Sequence, residues 1–164
     1  MGWNAKGIAV LQNINIRKTK HDADEVTAID LQLEATAKAK DLVTILGAEQ
    51  EHDVVRAFWE LSADDIFEPR FSGLEQCTGW ATFNNHDIQI GSCLSVIAHK
   101  IHKFKFTMIS NLDVVLVFTA TIERPTEHLL NYIVENIKSE VSYAIVAPPE
   151  FDFGNVVDFA GRRA

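Results

Sequence analysis

Two stretches of this chain repeat one alternation, and that repeat constrains the fold more than any other feature. Leu31-Gln32-Leu33-Glu34-Ala35-Thr36-Ala37 and Leu116-Val117-Phe118-Thr119-Ala120-Thr121-Ile122 both carry apolar or small residues at alternate positions and end in Ala-Thr-apolar. A period of two means a strand with one face buried. Each stretch follows an earlier strand, Leu11 to Arg17 in one case and Ile101 to Phe106 in the other. The connecting loops are polar, His21 to Glu25 and Ser110-Asn111, so both pairs read as antiparallel hairpins.

Helical spacing follows each hairpin. Between Lys38 and Leu46 the residues Leu42, Ile45 and Leu46 fall on one side, with Gly47 as a stop. Between Pro125 and Lys138 the series Leu129, Leu130, Ile133, Val134 and Ile137 has helical period, and Pro125 suits a first turn, where its missing N–H costs nothing. A further strand comes next: Val54 to Trp59 in the first half, a stretch that also reads as a short helix, and Val141 to Ala147 in the second, stopped by Pro148-Pro149. The predicted fold is a single α+β domain of two tandem β-β-α-β repeats, with antiparallel sheet and one helix per repeat. The repeats span 8–61 and 94–153, with an insertion or linker at 62–93 and a tail at 154–164. Within the insertion, Thr78 to Phe83 and Asp87 to Ile90 suggest a small hairpin around Asn84-Asn85-His86. Sequence leaves open whether the two units join edge to edge or stack.

Composition narrows the function. The net charge of −8 argues against indiscriminate nucleic-acid binding, though not against a local basic face. No run of about 18 apolar residues points to a transmembrane helix, and the first residues lack a basic stretch followed by an apolar one. A cytoplasmic location is expected, with Cys77 and Cys93 as reduced thiols outside any C-x-x-C pair.

The second half resembles small, uncharacterised bacteriophage proteins. The residues that carry this are Lys103-Phe104-Lys105-Phe106, Val115-Leu116-Val117-Phe118, Leu129-Leu130 and Pro148-Pro149-Glu150-Phe151-Asp152-Phe153. The resemblance covers the chain from about Trp80 onward and, more loosely, the first half. It implies a setting near phage replication or recombination genes, in the host bacterial cytosol. It implies no reaction and no site residues.

Several constellations offer candidate sites. Strand alternation puts Phe104 and Phe106 on a core face and Lys103 and Lys105 on the other; it likewise turns Ile14 and Ile16 inward and Arg17 outward, beside Lys18 and Lys20. Arg17, Lys18, Lys103 and Lys105 are therefore the candidate nucleic-acid contacts, while an ordinary solvated face explains the same rows. The aromatics around the insertion are candidates for a partner surface, Trp59, Phe71 and Trp80 foremost, although core packing is their commoner use. His99 and His102 diverge on a strand, so no metal site is expected. With no G-x-S-x-G elbow, phosphate loop or dinucleotide turn, no catalytic residue and no cofactor are expected either. The leading expectation is a non-enzymatic accessory protein that binds a protein partner in replication, recombination or host defence. A nucleic-acid-binding module and a structural protein of the virus particle are the alternatives, and a homo-oligomer is compatible with each.

Overall fold

The computed structural model describes residues 2–21, 23–45, 59–61, 67–71, 73–74, 76–79, 81–110 and 112–149. Two long hairpins dominate it. Strand β1 (Ala5–His21) pairs antiparallel with β2 (Asp24–Lys38). The first turn passes through Ala23 at a left-handed φ of 72°. Strand β7 (Val96–Met108) pairs with β8 (Asp113–Glu123), and the Ser110 hydroxyl oxygen accepts the N–H groups of Leu112 and Asp113 in the turn. The alternation acts as the sequence suggests: Leu31, Leu33 and Ala35 of β2, and Val114, Leu116, Phe118, Ala120 and Ile122 of β8, are buried.

The predicted α+β repeat is not the architecture. Strands make up 64% of the described residues, and six of them close into an antiparallel barrel. Around the ring the order is β1, β2, β8, β7, then β6 (Phe83–Ile90) and β9 (Glu140–Val146), which returns to β1. Three findings break the repeat. Of the expected first helix the described residues hold a 3-10 turn, Ala39–Asp41, and one helical turn, α1 (Leu42–Ile45), while Leu46 and the expected stop at Gly47 lie outside them. The third strand of the first half, β3 (Trp59–Leu61), pairs with β4 (Phe67–Pro69) in a separate ribbon, whereas β9 lies between β1 and β6. Val54 to Phe58 lie outside the described residues. The stretch read as an insertion supplies a barrel strand, β6, and a short one, β5 (Gln76–Thr78), on the far end of β7. Closure has a physical motive, because it removes the open edges that two separate sheets would expose.

The expected small hairpin at Asn84-Asn85 is also overturned. Asn85 does take a left-handed φ of 56°, but it does so inside β6, which continues through it. Burial changes phase there: Phe83 and His86, three apart, both face the core. A second departure lies on β7. Lys103 has φ 56°, and the pairing jumps from His102↔Thr119 to Lys105↔Val117, so two residues oppose one in a bulge. Ile16 corrects another expectation: it is 58% exposed rather than inward. The pairing of β1 with β9 ends at Val10↔Glu140, so at Ile16 β1 has, among the described residues, β2 as its one strand neighbour, while β2 itself stays paired with β8 at Ile29↔Ile122.

The interior is filled with side chains, not a lumen. Trp3 stacks on Phe83 with ring centroids 5.8 Å apart and meets Phe104 and Phe118 edge-on at 5.4 and 5.3 Å. The helix α2 (Glu127–Glu135) connects β8 to β9, which stand opposite each other in the ring of six with two strands between them either way, so it must pass over that end of the barrel. Thr126 caps it, its hydroxyl oxygen accepting the Leu129 N–H at 3.1 Å, and Leu129 and Ile133 enter the core. Ala39, Leu42 and Ile45 join the same core from the opposite end.

Candidate functional site

The barrel wall is not sealed everywhere. Strands β1 and β2 pair from His21↔Asp24 to Ala9↔Ala35 and then part. Beyond that point, among the described residues, Ala5 to Ile8 pair only with β9, and Thr36 to Lys38 only with β8. The cause lies at the start of the chain. Trp3 is anchored in the aromatic core, and its backbone N–H donates to Nε2 of the buried His86 at 3.0 Å. That bond requires the proton on Nδ1, which donates to the Asn84 carbonyl at 2.9 Å. The Asn4 side-chain oxygen accepts the Ala147 N–H at 2.9 Å. These ties hold the first residues against β6 and the end of β9, drawing the start of β1 away from β2.

A cleft opens where the strands part. It holds about 630 Å³ between Trp3 and Lys6 on one side, Ala37 and Lys38 on the other, and Tyr143 and Ile145 of β9. A separate hollow of about 440 Å³, lined by Ile8, Glu34 and Val115, shares Thr36 with it. The larger volume lies in the range of small-ligand and side-chain pockets. Lys38 is paired with Asp113 at 3.0 Å on the rim. Tyr143 is only 6% exposed, and its hydroxyl has no hydrogen-bond partner among the described residues. Burial, then the nearby Asp41 carboxylate, push its ionisation upward, so it stays a neutral phenol with a proton to donate. A buried unsatisfied hydroxyl costs about 1–3 kcal/mol, which a guest that accepts its hydrogen bond would recover.

The residues singled out from sequence fall elsewhere. Arg17 is held by Asp30 through Nε at 2.7 Å and Nη2 at 3.3 Å, which raises its pKa, and the Lys18 ammonium donates to the Thr27 hydroxyl at 2.9 Å. Lys103 and Lys105 are exposed on β7, but the bulge puts Phe104 alone between them and sets Lys105 opposite Val117 and Thr78. Arg17 and Lys103 do come to one stretch of outer wall, since both act electrostatically on His102. Phe71 is 59% exposed. Trp80 and the side chain of Trp59 lie outside the described residues. No three His, Cys, Asp or Glu side chains converge as metal ligands among the described residues. None of the described helices is long and apolar enough to cross a membrane.

Sequence reasoning missed Trp3, Tyr143, His86 and Thr121. Tyr143 alone carried a signal, as an inward-phased residue in the alternation of β9. The chain matches no family model, no curated protein and no solved structure, so these comparisons do not bear on the resemblance to bacteriophage proteins.

Proposed function

We propose that this is a binding protein whose partner is another protein, taken up as an extended segment in the cleft between β1 and β2. One observation carries the reading: the cleft is walled by two facing strand edges, Ala5 to Ile8 and Thr36 to Lys38, each paired, among the described residues, on its other side only. Free edges offer backbone donors and acceptors in a row, and an extended backbone is the chemistry that complements them. Each ladder bond gained contributes about 0.5–1.5 kcal/mol net. The apolar floor supports alternate side chains of the guest, because successive residues of a strand point to opposite faces. The resemblance to bacteriophage proteins supplies the setting, with the partner in replication, recombination or host defence.

The test uses a random peptide library selected on the whole protein. Selected peptides should alternate apolar and polar residues, and they should slow amide exchange at Ala5 to Ile8 and Thr36 to Lys38 as those edges become paired. Thr36→Trp, a bulky change at an exposed lip, should abolish selection. Peptides that bind without slowing these amides, or that bind the Thr36→Trp variant equally, overturn the proposal.

A further inference from the structure

Four neighbouring strands each contribute one side chain to a hydrogen-bonded row on the outer wall of the barrel, away from the cleft. Arg17 of β1 grips Asp30 of β2. The Thr121 hydroxyl of β8 donates to Asp30 Oδ1 at 2.8 Å. Nε2 of His102, on β7, lies 3.3 Å from the Thr121 oxygen. Thr121 is only 3% exposed, so solvent does not compete for its oxygen.

The direction of the bonds follows from counting protons. A hydroxyl has one proton, and Thr121 gives it to the Asp30 carboxylate. Thr121 can then only accept from His102, which requires the proton on Nε2. The neutral ring is left with a bare lone pair on Nδ1, and Nδ1 has no partner among the described residues. The row therefore sets the tautomer of a half-buried histidine and presents its other nitrogen.

The surroundings of that nitrogen are cationic. Lys100 and Lys103 flank His102 on β7, and neither ammonium has an ion-pair partner among the described residues. Arg17 faces it from β1 and Asp30 from β2, through the row; on β8 the carboxylate of Glu123, two residues beyond Thr121, acts on Arg17, and on β6 the nearest described acid, Asp87, lies opposite Ile97, five residues along β7. Burial first, then Lys103, Lys100 and Arg17, lower the proton affinity of His102, while Asp30 opposes them. An unpaired cationic group is notable in a chain of net charge −8.

We propose that His102, Lys100 and Lys103 form a binding site for a phosphate group. Two ammonium groups and one imidazole nitrogen offer separate partners to the several oxygens of a phosphate, and hydrogen bonds to an ionised group are the stronger kind. The incoming anion cancels the field of the lysines, so binding restores the proton affinity of His102. The ring takes a proton from solvent and donates it from Nδ1 to a phosphate oxygen. Binding therefore tightens as pH falls toward the ordinary histidine range near 6.5.

The test follows the His102 ring nitrogens by NMR on the whole protein, titrating pH with and without inorganic phosphate, and then with a single-stranded oligonucleotide. Phosphate should raise the midpoint of the His102 titration. Lys100→Gln and Lys103→Gln, which leave the row intact, should each weaken binding about tenfold. Tighter binding of the oligonucleotide, falling steeply with salt, makes a nucleic-acid backbone the source of the phosphate; tighter binding of inorganic phosphate makes the source a small molecule. A His102 titration that neither ligand moves, or binding unchanged in the double lysine variant, overturns the proposal.

Discussion

Replacing Thr121 by valine tests the outer row most sharply, because the two side chains have nearly the same shape and only the hydroxyl is lost. Thr121 is 3% exposed, so the change acts inside a closed environment. The lost bond to the Asp30 carboxylate at 2.8 Å is charge-assisted, about 1.5–3 kcal/mol. The contact with His102 is longer, 3.3 Å, and the half-exposed imidazole can turn to water, so its loss adds little. Burying a methyl group in place of the hydroxyl returns about 0.8 kcal/mol. The net expectation is a loss of about 1–2 kcal/mol at neutral pH. With a urea slope of about 2 kcal/mol per molar, the unfolding midpoint should fall by roughly 0.5–1 M at unchanged slope.

The same substitution carries a pH signature. Burial alone would raise the Asp30 carboxyl, but the hydrogen bonds from Arg17 and Thr121, the charge of Arg17 and the Asn15 side chain outweigh it and hold the group below its ordinary value. A carboxyl lowered on folding stabilises the folded state above the unfolded-chain value near 3.9, and that stability is lost as pH falls through the folded value. The gap between wild type and Thr121→Val should be full at neutral pH and should shrink in acid. Equal midpoints at neutral pH, or a gap that widens in acid, would refute the reasoning.

Two further outcomes follow from particular contacts. Gly91 has φ 56°, and a Cβ there would collide with the hydroxyl end of the Tyr132 ring on α2, so Gly91→Ala should cost about 2 kcal/mol or more in the same urea assay, and an unchanged midpoint would show that the ring gives way freely. Cys93 is 2% exposed, with its thiol pushed upward by burial, whereas Cys77 is half-buried. A thiol reagent should therefore modify Cys77 well before Cys93 in the folded protein and both once it is unfolded, and equal native rates would contradict the burial of Cys93.

The local strands and their phase were written in the order of side chains along the chain. Leu31 to Ala37 and Leu116 to Ile122 have their buried faces written into a period of two, and the polar turns at Ala23 and Ser110 fold each onto its predecessor. The apolar spacing of α2 was legible for the same reason, since it acts within a few residues, but Pro125, expected in the first turn, instead precedes the Thr126 cap. Tertiary structure decided the rest. Whether β3 or β9 would join the sheet depended on long-range pairing, which alternation cannot express. The Asn84-Asn85 pair looks like a turn, yet β6 runs through it because β7 pairs with Asn84 before it and His86 after it, and β9 takes up the other edge from Asp87 onward. The bulge at Lys103 lets Ile101 and Phe104, three apart, both face the core, and the loss of the β9 neighbour after Val10 leaves Ile16 exposed, while Lys103 and Lys105 stay on the outer face that alternation gives them. The candidate sites belong to this second category. The cleft exists because Trp3 is held by His86, 83 residues away, and the outer row because four separate strands bring Arg17, Asp30, Thr121 and His102 side by side. Neither spacing has a local signature, because the distances that matter are measured across the barrel wall and not along the chain.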